Sequence, residues 1–188
     1  RGADIKAERP AGLPTIKDAF WLGDAFAVVQ GWVGGSALAE SLENPPEEMR
    51  SPLGALSLVK RLIETIDGVH DRGFGHGDLK PGNIVIEKNG DPVLIDALDF
   101  SPHSDGELLS SAYAPESGSI LERDRFAVTK IAEEVLAGAD LEAADSARLT
   151  KAILQCREKE PRLSTLLPLL DEVEAVMARL EAPTAEEP

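Results

Sequence analysis

Four polar side chains around one short stretch of the chain are of the types that move phosphoryl groups. The segment HGDLKPGN, residues 76–83, contains Asp78, Lys80 and Asn83, and the later segment VLIDALDF contributes Asp96. Asn83 and Asp96 offer hard oxygen atoms of the kind that bind Mg²⁺. Asp78 can orient a hydroxyl group, and Lys80 can neutralise charge on a transferring phosphoryl group. A metal site, a base and a cation are together what phosphoryl transfer requires.

The local sequence predicts a long helix and then a hairpin as the elements that position these residues. A Ser-Pro pair at 51–52 suits the start of the helix, and Gly73 ends it. The apolar runs IVI and VLI, with a turn at 89–90, predict a hairpin that returns Asp96 to the neighbourhood of Asn83. Along the helix, apolar residues recur at intervals of three and four, and the stripe consists of Leu56, Val59, Ile63, Ile66 and His70.

The rest of the chain predicts further short elements on both sides of this unit. Residues 15–32 predict two strands, Ser36 is a candidate cap for a short helix, and residues 44–51 predict a loop. Residues 99–119 predict a long loop, and three helices are expected at about 124–136, 145–157 and 164–181. This order predicts an α+β domain whose larger part is helical.

Composition limits the classes of function. The length of 188 residues suits one domain, and the net charge of -15 argues against a nucleic-acid or anionic-membrane surface. No apolar run approaches the ~18 residues of a membrane span, and no signal-peptide pattern is present. Cys156, as the only cysteine, suits a reducing cytosol, so we expect a cytoplasmic location. Because the first residue is Arg1, we expect a trimmed or processed piece of a longer protein.

The segment HGDLKPGN resembles the catalytic loop of protein kinases, whose usual form is H-R-D-x-K-P-x-N. The resemblance extends in order. VLIDAL stands where the metal-binding D-F-G belongs, eighteen residues after the catalytic aspartate, and SAYAPES resembles the A-P-E end of the activation segment. DRFAVTKIAEEVL resembles the buried helix that follows, and EKEPRLST resembles a late arginine-bearing stretch. AFAVVQGWVGGSAL resembles the last small-lobe strand, the hinge and the first large-lobe helix, so the resemblance covers about residues 15–181.

The resemblance implies a protein-kinase-like large lobe, mainly helical with a catalytic-loop β-hairpin, plus a remnant of the small lobe. The domains expected on this basis are a leader or linker at 1–12, the small-lobe remnant and hinge at 13–33, the large lobe at 34–181, and an acidic tail at 182–188.

The resemblance also implies roles for particular residues. Asp78 would be the catalytic base and Lys80 would contact the γ-phosphate of ATP, while Asn83 and Asp96 would hold Mg²⁺. The adenine-binding segment would consist of the gatekeeper Val29 and the hinge residues Gln30, Gly31 and Trp32.

Other residues are expected to support the site. His76 and Asp124 would hold the catalytic loop, and Arg162 would pair with Glu116. Trp21 and Trp32 are expected to be packing residues, although Trp32 can also border the adenine pocket.

The chain also departs from the family pattern. No G-x-G-x-x-G and no lysine in a V-A-I-K context precede the hinge, so the small lobe is nearly absent. Ala97 and Leu98 replace the phenylalanine and glycine of D-F-G. Gly77 replaces the arginine before the catalytic aspartate. The sequence HGD also resembles the corresponding loop of small-molecule phosphotransferases.

Three functions therefore stay open at this stage. The first is ATP-dependent transfer of a phosphoryl group to a protein serine or threonine, by a parent kinase of which this fragment would be inactive alone. The second is a pseudokinase module that binds or regulates a protein partner. The third is a small-molecule phosphotransferase. On the first, the missing small lobe would come from the rest of the parent chain or from another chain.

Overall fold

The computed structural model describes residues 11–97, 111–159 and 162–182. Within these ranges helices and small antiparallel sheets are mixed, so the predicted combination of helix and sheet is confirmed. Most of the expected leader, the first twelve residues of the predicted loop at 99–119 and most of the acidic tail lie outside the described residues.

The first two strands form a separate hairpin. Strand β1 (Ile16–Leu22) pairs antiparallel with β2 (Ala25–Gln30), as the sequence predicted. Because side chains alternate along a strand and paired residues share a side, five apolar residues lie on one face together with Asp18. We call these apolar residues the apolar hairpin face: Phe20, Leu22, Ala25, Ala27 and Val29. Phe20, Leu22 and Val29 are 44%, 71% and 41% exposed.

A second, three-stranded sheet brings the predicted hinge segment next to the predicted catalytic loop. Its strands β3 (Ser36–Ala37), β4 (Ile84–Ile86) and β5 (Pro92–Leu94) are antiparallel in the order β3-β4-β5. Ser36 pairs with Ile86, so the prediction that Ser36 caps a helix is wrong. Gly35 permits this approach, because an added Cβ would lie 2.1 Å from the Ile86 carbonyl oxygen.

Six α-helices lie within the described residues. They are α1 (Leu38–Glu43), α2 (Glu47–Arg50), α3 (Pro52–His70), α4 (Ile120–Ala137), α5 (Ala143–Glu158) and α6 (Leu167–Glu181). The predicted long helix and the three later helices are present. The predicted loop at 44–51 is wrong in part, because α2 forms there. Its acidic residues lie in the first turn, Arg50 lies in the last, and Met49 is buried.

The core lies among the four longer helices and extends to the three-stranded sheet. Ser51 caps α3 by accepting a 3.1 Å hydrogen bond from the Gly54 amide, and Ser119 and Glu122 form a reciprocal capping box on α4. The core includes Leu56, Ile63, Ile66, Ile84, Leu94, Val128, Ile131, Ile153, Cys156, Leu169 and Val173. None of the helices in the described ranges is long and apolar enough to cross a membrane.

Candidate active site

A buried carboxylate holds the loop that precedes Asp78. Asp124, in the second turn of α4, is fully buried. Its Oδ2 accepts a 2.7 Å hydrogen bond from the His76 amide, and its Oδ1 accepts a 2.8 Å bond from the Gly77 amide. The Nε2 of His70, at the end of α3, lies 3.0 Å from the same Oδ2. Asp124 therefore anchors the loop to two helices, in agreement with its expected supporting role.

His76 joins the loop to the chain that leaves β5. Its Nε2 lies 2.8 Å from the Ile95 carbonyl oxygen, and its Nδ1 lies 3.3 Å from the Asp78 amide nitrogen. Only a neutral imidazole with its proton on Nε2 satisfies both contacts, since a carbonyl accepts and an amide donates. Burial lowers the pKa of His76, although the Ile95 carbonyl and nearby carboxylates oppose this shift. The expected supporting role of His76 is thus also found.

Three of the predicted site residues lie together immediately after His76. The Lys80 Nζ lies 2.6 Å from the Asp78 Oδ2. The Asn83 side-chain nitrogen, Nδ2, donates to the Asp78 carbonyl oxygen at 2.9 Å and lies 3.5 Å from Asp78 Oδ2. The Asn83 side-chain oxygen takes no part in these bonds, and neither does Asp78 Oδ1. Within the described residues, the first is therefore available as a hard ligand and the second as a proton acceptor.

Asp96 is placed beside this group by the backbone. The Ile95 amide donates a 2.9 Å hydrogen bond to the Asn83 carbonyl oxygen, so the chain reaches Asp96 one residue after contacting Asn83. Asp96 adopts a left-handed φ of 59°, which is uncommon outside glycine although Asp is among the residues enriched there. Its side chain is exposed, yet its charge is close enough to influence His76.

The donor set fits a hard divalent cation. Asn83 and Asp96 offer one amide oxygen and one carboxylate, and Mg²⁺ commonly uses few protein groups and completes its shell with water and phosphate. No group of three or more His, Cys, Asp or Glu placed to hold a metal occurs among residues 11–97, 111–159 and 162–182. The convergence of Asn83 and Asp96 on one ion therefore stays a prediction.

The predicted adenine-binding residues form one continuous segment. Val29 and Gln30 end β2, and the Gly31 amide donates a 2.7 Å hydrogen bond to the Thr15 carbonyl oxygen. The chain then enters β3, which pairs with β4 directly after Asn83. The predicted hinge segment and the predicted catalytic loop are therefore linked through one small sheet.

The prediction that the two tryptophans are packing residues is wrong for the described fold. Trp21 is 69% exposed and Trp32 is 95% exposed. Trp32 therefore lies outside the core, and its ring is open to solvent within the predicted hinge. Sequence alone misled here, because an aromatic residue is usually buried.

Glu116 and Arg162 line one cleft of about 390 Å³ beside the first half of α4, next to Phe126. Both residues are exposed, and their pairing stays a prediction. A second arginine, Arg157, lines the same cleft. Arg157 contacts Glu133 at 2.6 Å and Thr129 at 2.7 Å, and its guanidinium lies 5.3 Å from the centre of the Phe126 ring.

Sequence reasoning missed the role of His70, which it placed in the apolar stripe of the long helix. The sequence did contain a signal for this contact, because a histidine in an apolar stripe needs a polar partner when it is buried. Its partner, Asp124, lies 54 residues away. Local periodicity could not reveal that contact.

Comparison with known proteins supports the resemblance. No family model matches the chain. The serine/threonine-protein kinase PknA of Nostoc sp. is 30% identical over 110 residues, which is 58% of this chain and 19% of that protein. The serine/threonine-protein kinase pkn2 of Myxococcus xanthus is 36% identical over 93 residues, covering 50% of this chain and 11% of the relative. CBL-interacting serine/threonine-protein kinase 20 of Arabidopsis thaliana is 40% identical over 60 residues, covering 30% of this chain and 14% of the relative.

These relatives share one activity in their names and are much longer than the matched region. The chain matches no more than a fifth of the length of any of the three. Part of the chain is therefore similar to serine/threonine protein kinases, and the resemblance inferred from the motifs is confirmed at that level.

Proposed function

We propose that the parent protein transfers the γ-phosphoryl group of ATP to a serine or threonine hydroxyl of a protein substrate. The observation that carries this proposal is the grouping of Asp78, Lys80 and Asn83. Among the residues that the structure describes, Asp78 Oδ1 and the Asn83 side-chain oxygen take no part in the bonds that join this group. The similarity of half the chain to named serine/threonine kinases supports it. On this proposal the protein acts in the cytoplasm.

Each residue of the site has a distinct task on this proposal. Asp78 Oδ1 accepts or orients the proton of the attacking hydroxyl group. Lys80 leaves the Asp78 carboxylate to contact the γ-phosphate. Asn83 and Asp96 would hold Mg²⁺, which when bound neutralises phosphate charge as a Lewis acid. Catalysis of this kind consists mainly of positioning and electrostatic stabilisation.

The nucleotide's base would bind at the hinge. Val29, Gln30, Gly31 and Trp32 follow β2 without interruption, and β3 continues from them to the sheet that carries the catalytic loop. The apolar hairpin face lies on the element that ends in this segment. We propose that the missing small lobe, from the parent chain or another chain, covers that face and completes the nucleotide site.

The experiment is a phosphoryl-transfer assay on the full-length parent protein with ATP, Mg²⁺ and a generic protein substrate. We expect Asp78→Asn to lower the rate by about 10²–10⁴-fold, the usual contribution of a general base. Asp71→Asn is the matched control, because Asp71 is an exposed aspartate at the end of α3, outside the site. Transfer at the unsubstituted rate in the Asp78→Asn protein would reject the enzyme proposal.

A binding module is the second candidate, and the apolar hairpin face favours it. An exposed apolar face of this kind marks an interaction site in many proteins. Ala97 in place of the usual phenylalanine points the same way. A full-length protein that binds a partner through this face, yet neither transfers phosphate nor binds nucleotide, would support this second function over the first.

A further inference from the structure

We propose that Arg61, on α3, is a positioning residue for the metal site and acts through the turn of the β4–β5 hairpin. The inference rests on the proposed function in treating Asn83 and Asp96 as the metal ligands. The contacts that carry it join α3 to the hairpin turn, and they involve none of the residues assigned to phosphoryl transfer.

Arg61 holds the turn of the hairpin through two contacts of one nitrogen. Its Nη1 donates a 2.6 Å hydrogen bond to the Asn89 carbonyl oxygen and lies 3.1 Å from Asp91 Oδ1. The turn is also closed on itself, because the Asn89 Nδ2 donates to Asp91 Oδ2 at 2.7 Å and the Asp91 amide donates to Asn89 Oδ1 at 3.1 Å. Arg61 therefore ties the turn to α3 as one unit.

The space around Arg61 shows what this contact provides. Arg61 lines two clefts, of about 340 and 330 Å³, that both border α3 and the hairpin. Residues of α3 that follow Arg61, such as Thr65, line the first cleft, and residues that precede it, such as Ser57, line the second. The turn therefore stands away from α3 on either side of Arg61, and the guanidinium bridges the gap.

The proposed metal ligands stand at the open end of the same hairpin. Asn83 directly precedes β4, and Asp96 lies two residues after β5. The Ile95 amide joins the two chain segments there through its 2.9 Å bond to the Asn83 carbonyl oxygen. Rocking of this short hairpin would shift Asn83 and Asp96 against the rest of the site. Mg²⁺ tolerates little displacement of its ligands, because it demands near-ideal octahedral geometry.

The outer edge of β5 is held by the backbone near the site and lacks a donor near the turn. The Leu94 amide donates a 2.7 Å hydrogen bond outward to the Gly12 carbonyl oxygen. Pro92 lies two residues nearer the turn on the same edge, and proline has no amide hydrogen to repeat that bond. The open end of the hairpin is thus tied through the backbone, and the turn is tied through the side chain of Arg61.

Amide hydrogen exchange on the 188-residue chain tests this tie without any catalysis. Arg61→Gln removes the guanidinium, and Arg72→Gln is the matched control, because Arg72 donates to the Gly68 carbonyl oxygen of its own helix and not to the hairpin. We expect Arg61→Gln to speed exchange of the Ile95 amide by about three- to tenfold relative to the core amides of α3, as for one lost hydrogen bond. Arg61→Lys, which keeps the charge and a donor, should speed it less.

The full-length parent protein supplies a readout that local loosening of the turn would not move. With saturating ATP and a generic protein substrate, we expect Arg61→Gln to raise the Mg²⁺ concentration for half-maximal transfer by about three- to tenfold. The rate at saturating Mg²⁺ should change little, because the proposed base and lysine precede the hairpin. Arg72→Gln should leave both quantities at the unsubstituted values.

The outcomes separate this inference from the proposed function. An Ile95 amide that exchanges at the unsubstituted rate in Arg61→Gln, or is equally accelerated in Arg72→Gln, would overturn the inference. An unchanged Mg²⁺ requirement in an active Arg61→Gln parent protein would also overturn it and would restrict Arg61 to the stability of the turn. A parent protein that transfers no phosphate would reject the proposed function instead, and hydrogen exchange alone would then decide whether Arg61 positions the hairpin.

Discussion

The Lys80 ammonium lies on the Asp78 carboxylate, 2.6 Å from Oδ2, so the proposed base and the proposed phosphate-binding cation neutralise one another. Both side chains are about one-third exposed, at 35% and 27%, and water screens such a pair. A bound γ-phosphate would compete with Asp78 for the ammonium, because charge-assisted bonds form to either anion. On the proposed function, nucleotide binding would therefore also release the base.

Substitution of Asp96 tests the proposed metal site most directly. In the full-length protein we expect Asp96→Asn to abolish Mg²⁺-dependent transfer while the fold is retained, because the change removes ligand charge but little volume. Transfer rates across a Mg²⁺ titration, with a thermal melt of each protein, measure both effects. Asp71→Asn again serves as the control for removing one exposed carboxylate. Full activity in Asp96→Asn would exclude this residue as a ligand.

His76 predicts how stability depends on pH. Its pKa in the folded protein lies below the ordinary value of 6.5, mainly through burial, so the folded state binds fewer protons than the unfolded state. The stabilisation is complete above pH about 6.5 and is lost as pH falls from there to the lowered pKa of the folded state. Urea unfolding at pH 5–8 measures this slope. His76→Gln should flatten the slope, and an equal slope in both proteins would contradict the assignment.

At the scale of secondary structure, the loop depends on a glycine that the sequence marked only as a departure from the kinase pattern. Gly77 has φ +88°, where a side chain is strained. We expect Gly77→Ala to lower the free energy of unfolding by about 1–2 kcal/mol. Chemical denaturation checks this value.

Gly82, in the same loop, is the matched control. An alanine Cβ at Gly82 would meet no atom within 4 Å, and its φ lies outside the left-handed region. Gly82→Ala should therefore be neutral or slightly stabilising. Equal destabilisation by both substitutions would mean that the loop responds to bulk and not to the φ of residue 77.

The elements that the sequence predicted are those whose signals are local. The start of α3 is encoded by adjacent Ser51 and Pro52, and the β1–β2 hairpin has its turn residue, Gly23, at a positive φ. The elements it missed depend on distant partners. Strand β3 has two residues and exists because it pairs with β4, which is almost fifty residues later. No periodicity can be read from two residues, so the sequence predicts a helix cap at Ser36 and not a strand.

In the candidate site too, the features with local signals were predictable and the contacts between distant residues were not. The types and spacing of Asp78, Lys80 and Asn83 were predictable, and the structure brings them together. The support by Asp124 followed only from the family resemblance. The contact between His70 and Asp124 could not be predicted from composition or period, because it joins the ends of two helices that pack only in the folded chain.

At the scale of the molecule, we predict that residues 1–188 alone transfer phosphate negligibly and bind nucleotide weakly at best. The chain has no glycine-rich loop before the hinge, and the apolar hairpin face is exposed. An assay of the isolated chain with ATP and Mg²⁺ checks this. Turnover near ~1 s⁻¹, the low end for kinases, would show that the small lobe is not needed.

The distribution of aromatic residues has a practical consequence for measuring this protein. The chain has only two tryptophans, and both lie at the hairpin and hinge and are largely exposed. Indole emission therefore reports that end of the molecule, while circular dichroism at helical wavelengths reports the core of α3 to α6. Melting curves recorded by the two methods follow different regions. A difference between their midpoints would indicate separate loosening of the hairpin and would not by itself identify an intermediate in the folding of the helical core.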